Sequence, residues 1–265
     1  MNNEFAWFLG TLISDGSIVR PTRVNRGDER HISYCLHYKD YNMLVKIAKI
    51  LNTRALVRKY PQYQSPQCQL NVYDRKDIIE KYDDIKESVP KNVDGYERHL
   101  IRGIVDGDGC LSYRENRKSF RFNIINQNRQ IIEWCSHAIS RNLNIAYKEP
   151  KYKEKDHIYI IEWEGRIARL IIWWLYHGNI DNMVLDRKHL FYKEQILKNR
   201  KFLSKEEEFI FAIGAVKEKG KILPCIQAQS TLEWCHIIQK QLSYKTQPIF
   251  SNKGQTKYYY LYIPN

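Results

Sequence analysis

Apolar positions along the first ninety residues change period in an ordered way. Residues 5–15 form a nearly unbroken greasy run, FAWFLGTLISD, long enough for a buried helix. In the next segment Ile32, Tyr34, Leu36 and Tyr38 alternate with His31, Ser33, Cys35, His37 and Lys39, the two-residue period of a strand with one buried face. Leu44, Ile47 and Leu51 then follow at helical spacing, and Cys68, Leu70 and Val72 alternate with Gln67, Gln69, Asn71 and Tyr73. A short strand after the first helix and a closing helix complete an αββαββα unit.

The pattern then repeats. His99 to Leu111, HLIRGIVDGDGCL, aligns with Phe5 to Ile18, FAWFLGTLISDGSI, so that Gly10, Asp15 and Gly16 fall on Gly103, Asp108 and Gly109. Behind the second copy Phe120, Phe122 and Ile124 alternate with Arg121, Asn123, Ile125 and Gln127, and Ile131, Cys135 and Ile139 are spaced as a helix. A third copy begins at Phe209 to Ile222, FIFAIGAVKEKGKI, and continues to Glu233-Trp234-Cys235, which echoes Glu133-Trp134-Cys135 across a shorter loop. Lys219 stands there in place of the aspartate, so this truncated repeat lacks the acid of the other two. The expected organisation is α+β: a first repeat over 1–95, a second over 96–203 and a degenerate third over 204–265. Trp173-Trp174 and many of the tyrosines are expected in the packed interior or on sheets.

Composition narrows the partners. Six scattered cysteines, without a CxxC pair or a Cys/His cluster, indicate neither structural zinc nor a disulfide framework, and are read as reduced thiols of an intracellular protein. The amino-terminal residues lack the basic start of a signal peptide, and no apolar run reaches membrane-spanning length, so a soluble protein without a membrane partner is expected. The formal net charge of +13 favours a polyanion, because lysine and arginine contacts to phosphates release counterions.

In both motifs small residues recur at four-residue spacing, Gly10 with Ser14 and Gly103 with Gly107, leaving a bare strip along one helix face. Two such helices can pack backbone to backbone. Asp15 and Asp108 close those helices, where unpaired carbonyls and the negative helix end add to the carboxylate charge. Packed in parallel, the two ends form a hard-oxygen site suited to Mg2+ or another divalent cation, and paired metals can activate water and stabilise the charge of phosphodiester hydrolysis.

The motifs WFLGTLISDG and LIRGIVDGDG resemble the paired signatures of the LAGLIDADG homing endonucleases of the single-chain, two-repeat type. That resemblance covers about residues 1–200. It implies a pseudo-twofold saddle of antiparallel sheets in the DNA major groove, around two packed motif helices, in a monomer that cuts both strands of a duplex target. It makes Asp15 and Asp108 the metal ligands, helped by the carbonyls of Ser14 and Gly107. It also calls for a Gln or Lys after the second strand of a repeat, which Gln127 and Lys39 fit, and a Lys opening a last helix, which Lys188 fits. In the first repeat Lys86 or Lys91 are the only counterparts of Lys188. Ile13 departs from the pattern, which has an earlier acid there; Asp106 keeps it.

Strands in a major groove present alternate side chains to base edges, making Arg20, His37, Gln67, Gln69, Asn71, Arg121 and Asn123 the expected readers. Three further readings stay open at this point: a DNA-binding or regulatory protein that no longer cuts, an RNA maturase, and an unrelated basic α+β protein.

Overall fold

The computed structural model describes residues 1–19, 30–53, 57–60, 65–178 and 180–197, together with the backbone of three strands within 226–263. Residues 1–138 and 147–193 make one compact unit, which holds both motif helices and their sheets. In it helix α1 (Asn3–Ser14) leads to β1 (Gly16–Val19), β2 (His31–His37), α2 (Tyr41–Leu51), β3 (Arg58–Tyr60), β4 (Gln67–Val72) and α3 (Lys76–Lys81). The series recurs as α4 (Glu97–Asp108), β5 (Gly109–Arg114), β6 (Ser119–Asn126), α5 (Arg129–Leu143), β7 (Lys151–Lys153), β8 (Ile158–Glu164) and α6 (Gly165–Tyr176), with α7 (Asp186–Phe191) added. The strand orders β1-β2-β4-β3 and β5-β6-β8-β7 are the same, and every pairing is antiparallel. The duplication expected from the motifs is therefore also one of topology.

Local chemistry explains where the elements start and stop. The Asn2 side chain accepts from the Phe5 amide at 2.8 Å and caps α1. Asn52, at φ 47°, ends α2 in the left-handed region that asparagine tolerates better than most residues. In both sheets the alternation read from sequence sorts the faces: Ile32, Tyr34, Cys68, Leu70 and Val72 are buried in the first, and Phe120, Phe122, Ile124, Ile161 and Trp163 in the second.

At the centre lie α1 and α4, whose residues from Ala6 to Ile13 and from Leu100 to Asp106 are buried all round. Glycine permits this. A Cβ on Gly10 would lie 2.1 Å from the Leu100 carbonyl oxygen, and one on Gly103 would lie 2.1 Å from that of Trp7. The reciprocity of these contacts is that of a local twofold axis.

Loops brace the two halves from opposite sides. Lys46 of α2 donates to the Val184 carbonyl at 2.8 Å and to Asp186 at 2.5 Å, and Asn42 donates to Asp186 at 3.0 Å. Arg187 reaches Asp40 at 3.1 Å. On the other side the Asn128 amide donates to the carbonyls of Lys86 and Glu87 at 3.2 and 2.7 Å. The expected buried place of Trp173 and Trp174 holds, and Cys35, Cys68, Cys110 and Cys135 are free thiols; Cys225 and Cys235 lie outside the described residues.

The second compact unit takes in residues 139–146 and 194–265. Its sheet has the order β10-β11-β9, formed by β9 (Ile226–Ser230), β10 (Ile249–Lys253) and β11 (Thr256–Ile263). The third motif copy, Phe209 to Ile222 with Lys219, lies outside the described residues.

Candidate catalytic centre and nucleic-acid interface

Because the helix pair is seamed by glycines, the C-terminal ends of α1 and α4 meet. The Asp15 carboxylate reaches across to the opposite motif: a Cβ on Gly107 would fall 2.8 Å from its Oδ2. Burial raises the Asp15 carboxyl above its ordinary range, with Lys188 and Lys86 pulling it back. The Asp108 carboxyl is pushed up to about 6, first by burial and then by the charge of Asp15. Two half-buried acids, one of them opposed by the charge of the other, form a site that a divalent cation would relieve. Among the described residues no group of three or more His, Cys, Asp or Glu side chains could hold a metal, so carboxylates alone do not complete a ligand set. The donor set that fits is two carboxylates with backbone carbonyls, water and phosphate oxygens, which suits magnesium-like ions.

A lysine sits under each motif helix. Lys188 Nζ donates to the carbonyls of Val105, Asp106 (2.9 Å) and Gly109 (2.8 Å), one acceptor for each of its three protons. Lys86 Nζ donates to the carbonyls of Ile13 (2.7 Å) and Ser14 (2.9 Å) at the end of α1. Both satisfy orphan carbonyls at a negative helix end. Burial lowers both lysines, Lys188 to about 8 and Lys86 in the same direction, against the pull of nearby acids. Lys188→Met is expected to cost about 3 kcal/mol of unfolding free energy, since it removes a buried donor shared by three carbonyls, of which that of Val105 keeps the Gly109 amide, and Lys86→Met about half as much. Urea midpoints of the two variants check this, and equal midpoints would contradict it.

Asp106 explains why only the second motif keeps an earlier acid. It is fully buried and accepts from Trp7 Nε1 (2.8 Å), the Tyr176 hydroxyl (2.8 Å) and the Leu185 amide (3.0 Å). The first bond ties α4 to α1, and the last anchors the start of α7, which carries Lys188. Beside it the equally buried Arg102 donates to the carbonyls of Met183 (2.9 Å) and Leu175 (2.9 Å) and meets His99 Nδ1 at 2.8 Å. Burial is also the main reason its guanidinium is lowered to about 10.

Paired αββαββα units, a reciprocal glycine seam and two aspartates ending the seamed helices coincide here. The fold is LAGLIDADG-like. No protein-family model matches the chain, and no curated protein matches it. Among solved structures it is similar to I-DmoI in complex with DNA and Ca, at 14% identity over 67% of this chain and 91% of that one, with a TM-score of 0.49. It is similar to the meganuclease I-SmaMI bound to uncleaveable DNA at 11% identity, over 82% of this chain and 99% of that one, with a TM-score of 0.49. The N-terminal LAGLIDADG domain of DUF199/WhiA is a further match at 10% identity, over 71% of this chain and 88% of that one, with a TM-score of 0.46. These likenesses concern backbone shape alone.

The remaining expected site residues of this LAGLIDADG-like unit fall in two places. Gln127 is exposed and lines a cleft of about 660 Å³ with Ser14, Lys86, Asp108, Asn126 and Tyr159. Lys39 is exposed in the single turn of 3-10 helix after β2. Pairing register makes His37, not Lys39, the counterpart of Gln127, because Tyr34 pairs with Gly16 as Ile124 pairs with Gly109. His37, Gln67, Gln69 and Asn71 share the face of the first sheet away from its buried residues, and Arg121 shares the corresponding face of the second. Asn123 lies there too but is only 8% exposed. Arg20 lies outside the described residues.

Three residues near the acids were not singled out from sequence. Asn126 Nδ2 stands 3.5 Å from Asp108 Oδ2, and Asp40 and Arg187 both act on the Asp15 carboxyl. Asn126 had a sequence signal, being the last polar residue of the alternating strand before Gln127. The other two come together only through the loop brace.

Proposed function

We propose that this protein is a site-specific endonuclease of double-stranded DNA, using Mg2+ or another divalent cation held between Asp15 and Asp108. The observation that carries the reading is the convergence of those two carboxylates, at the ends of seamed helices, with a lysine beneath each. The net charge of +13 supplies the attraction to a polyanionic duplex.

A bound cation would supply Lewis-acid stabilisation of the phosphate and a lowered pKa for the attacking water. Asp15 and Asp108 hold the site's negative charge where a cation is needed. Lys86 and Lys188 keep the helix ends neutralised, and their charges, both coupled to Asp15, would offset charge gathering on a phosphate bound there. Gln127 is assigned to orienting water or phosphate, with His37 at the matching register position of the other half and the exposed Lys39 two residues beyond it. The polar sheet faces position the duplex and read base edges, through Arg20, His37, Gln67, Gln69, Asn71, Arg121 and Asn123.

The test incubates the full chain and an Asp15→Asn, Asp108→Asn variant with a randomised duplex library in magnesium, sequencing cut and retained DNA. Cutting at one long site by the parent alone is expected. Specific retention by both proteins without cutting would replace the enzyme with a silent DNA-binding protein, and neither retention nor cutting would turn attention to structured RNA.

A further inference from the structure

The two sheets carry different chemistry on their polar faces. Register aligns Ser17, Ser33 and Asn71 in one row of the first sheet, Cys35, Gln69 and Arg58 in the next, and His37, Gln67 and Tyr60 beyond. None of these is acidic. The second sheet aligns Cys110, Asn123 and Glu162, then Ser112, Arg121 and Glu164, with Arg114 opposite Ser119. It thus places two glutamates on a face read above as meeting phosphate-rich DNA, where a free carboxylate opposes binding.

Neither glutamate is free. Glu162 Oε2 accepts from Arg121 Nε at 2.6 Å and from its Nη2, a side-on grip on the guanidinium. Glu164 Oε1 accepts from Arg114 Nη1 at 2.6 Å. All four side chains remain between 28% and 45% exposed, so the pairs stand at the surface and not within the core. The side-on grip leaves Arg121 the Nη1–Nη2 edge of its fork, and Arg114 keeps the edge formed by Nε and Nη2. Each remaining edge has the two parallel donors that match guanine O6 and N7. Immobilising a long arginine before binding also removes ordering entropy that a free side chain would lose on docking.

We propose that Arg114 and Arg121 are guanine readers for the half-site facing the second sheet, with Glu164 and Glu162 as positioning residues that fix their forks. The inference rests on the DNA reading above and deepens it: one half of the target is selected for G·C pairs through held arginines. The other half is met by the amides Gln67, Gln69 and Asn71, whose bidentate partner is adenine. The glutamates also weaken attachment to DNA lacking those guanines, because a carboxylate there meets phosphate without compensation.

The test is a binding selection by the full chain from a randomised duplex library, at fixed salt and without divalent metal. Parent, Arg114→Lys, Arg121→Lys, Glu162→Gln and Glu164→Gln proteins are compared. Lysine keeps the charge and the stem but not the fork, which separates recognition from phosphate attraction. The parent should enrich guanine at two positions in one half of its site. Each lysine variant should reduce the preference at one of them by about tenfold and leave the other half unchanged. Glu162→Gln should flatten the same position as Arg121→Lys while binding scrambled duplex more tightly. A selected site at which the lysine variants loosen every position equally, or at which Glu162→Gln only raises affinity, overturns the proposal and leaves the DNA reading intact. A parent that enriches no site overturns both.

Discussion

Placing a methyl group on the helix seam is expected to be the most destructive small change this protein can suffer. Gly10→Ala or Gly103→Ala puts a Cβ 2.1 Å from a backbone carbonyl oxygen of the facing helix, and a backbone cannot swing aside as a side chain can. The helices must separate, and with them part both carboxylates and the buried residues on either side. Overpacking a core typically costs 1 to 3 kcal/mol, and a clash of backbone with Cβ belongs at or above the top of that range, so about 3 kcal/mol or more is expected for each variant. Against a domain stability of roughly 5 to 15 kcal/mol, the double variant should lose its cooperative unfolding transition. Two controls use the same substitution. At Gly107 the clash is with Ser14 Oγ at 2.2 Å and Cβ at 2.5 Å, at the half-buried end of the seam and not against a carbonyl in its buried middle, and Gly95, at φ +82°, has open space around it. Gly107→Ala should therefore cost less, and Gly95→Ala only the ~1 to 2 kcal/mol of a left-handed backbone. Urea midpoints for the four variants measure the order; a mild Gly103→Ala would mean the helices do not pack this closely.

The second large effect has opposite signs for stability and activity. Asp15→Asn with Asp108→Asn should reduce cleavage by at least about 10³-fold, as the loss of a preorganised electrostatic centre does elsewhere. In the absence of divalent metal the same change should stabilise the fold. The native Asp108 carboxyl is pushed up to about 6, from an ordinary value of 3.8 to which unfolding returns it. The native state therefore holds its proton more tightly. The benefit of the neutral acid is intact below about pH 4 and is lost as pH rises through 6, so at neutral pH the parent carries the cost of the buried charge. That cost is on the order of 2 kcal/mol. Metal-free parent protein should melt at a lower temperature at pH 7.5 than at pH 5, and Asp108→Asn should flatten that dependence. Saturating magnesium should raise the melting temperature of the parent and leave the double variant unmoved. A parent that magnesium does not stabilise would count against a cation between these aspartates.

Much of the architecture was legible because it rests on periodicity. The alternations in β2, β4 and β6 and the small-residue spacing of the motif helices are local signals, and the repeated motif shows that one unit occurs twice. What stayed hidden depends on contacts between residues far apart in the chain. Lys86 stands beside Lys91 as a candidate after the six-residue helix α3, where no periodic pattern chooses between them, and the choice falls only when its ammonium is found on the carbonyls of Ile13 and Ser14. The acid at 106 was visible as a departure of the first motif from the second, but its partners Trp7 and Tyr176 lie on other elements. Arg102 is a charged residue in a helix buried all round, which composition would place at the surface; three acceptors from a loop, a helix end and His99 hold it inside. Register, too, needed the sheet: only the pairing of Tyr34 and Ile124 with their glycines distinguishes His37 from Lys39.

The loop braces set the terms on which the two halves can be recombined. The glycine seam is self-complementary, so two copies of one repeat could form it, but the braces are not interchangeable: one side needs Asn42 and Lys46 facing Asp186, and the other needs Asn128 facing the carbonyls of Lys86 and Glu87. A hybrid joining this first repeat to a foreign second one must import those partners or lose the loops that hold its lysines. The polar-face bonds Ser33–Asn71, Cys35–Gln67, Arg114–Glu164 and Arg121–Glu162 each lie within one sheet. If the proposed endonuclease reading holds, its DNA preference can therefore be altered by substitution along β2, β4, β6 and β8 without redesigning the Asp15 and Asp108 centre.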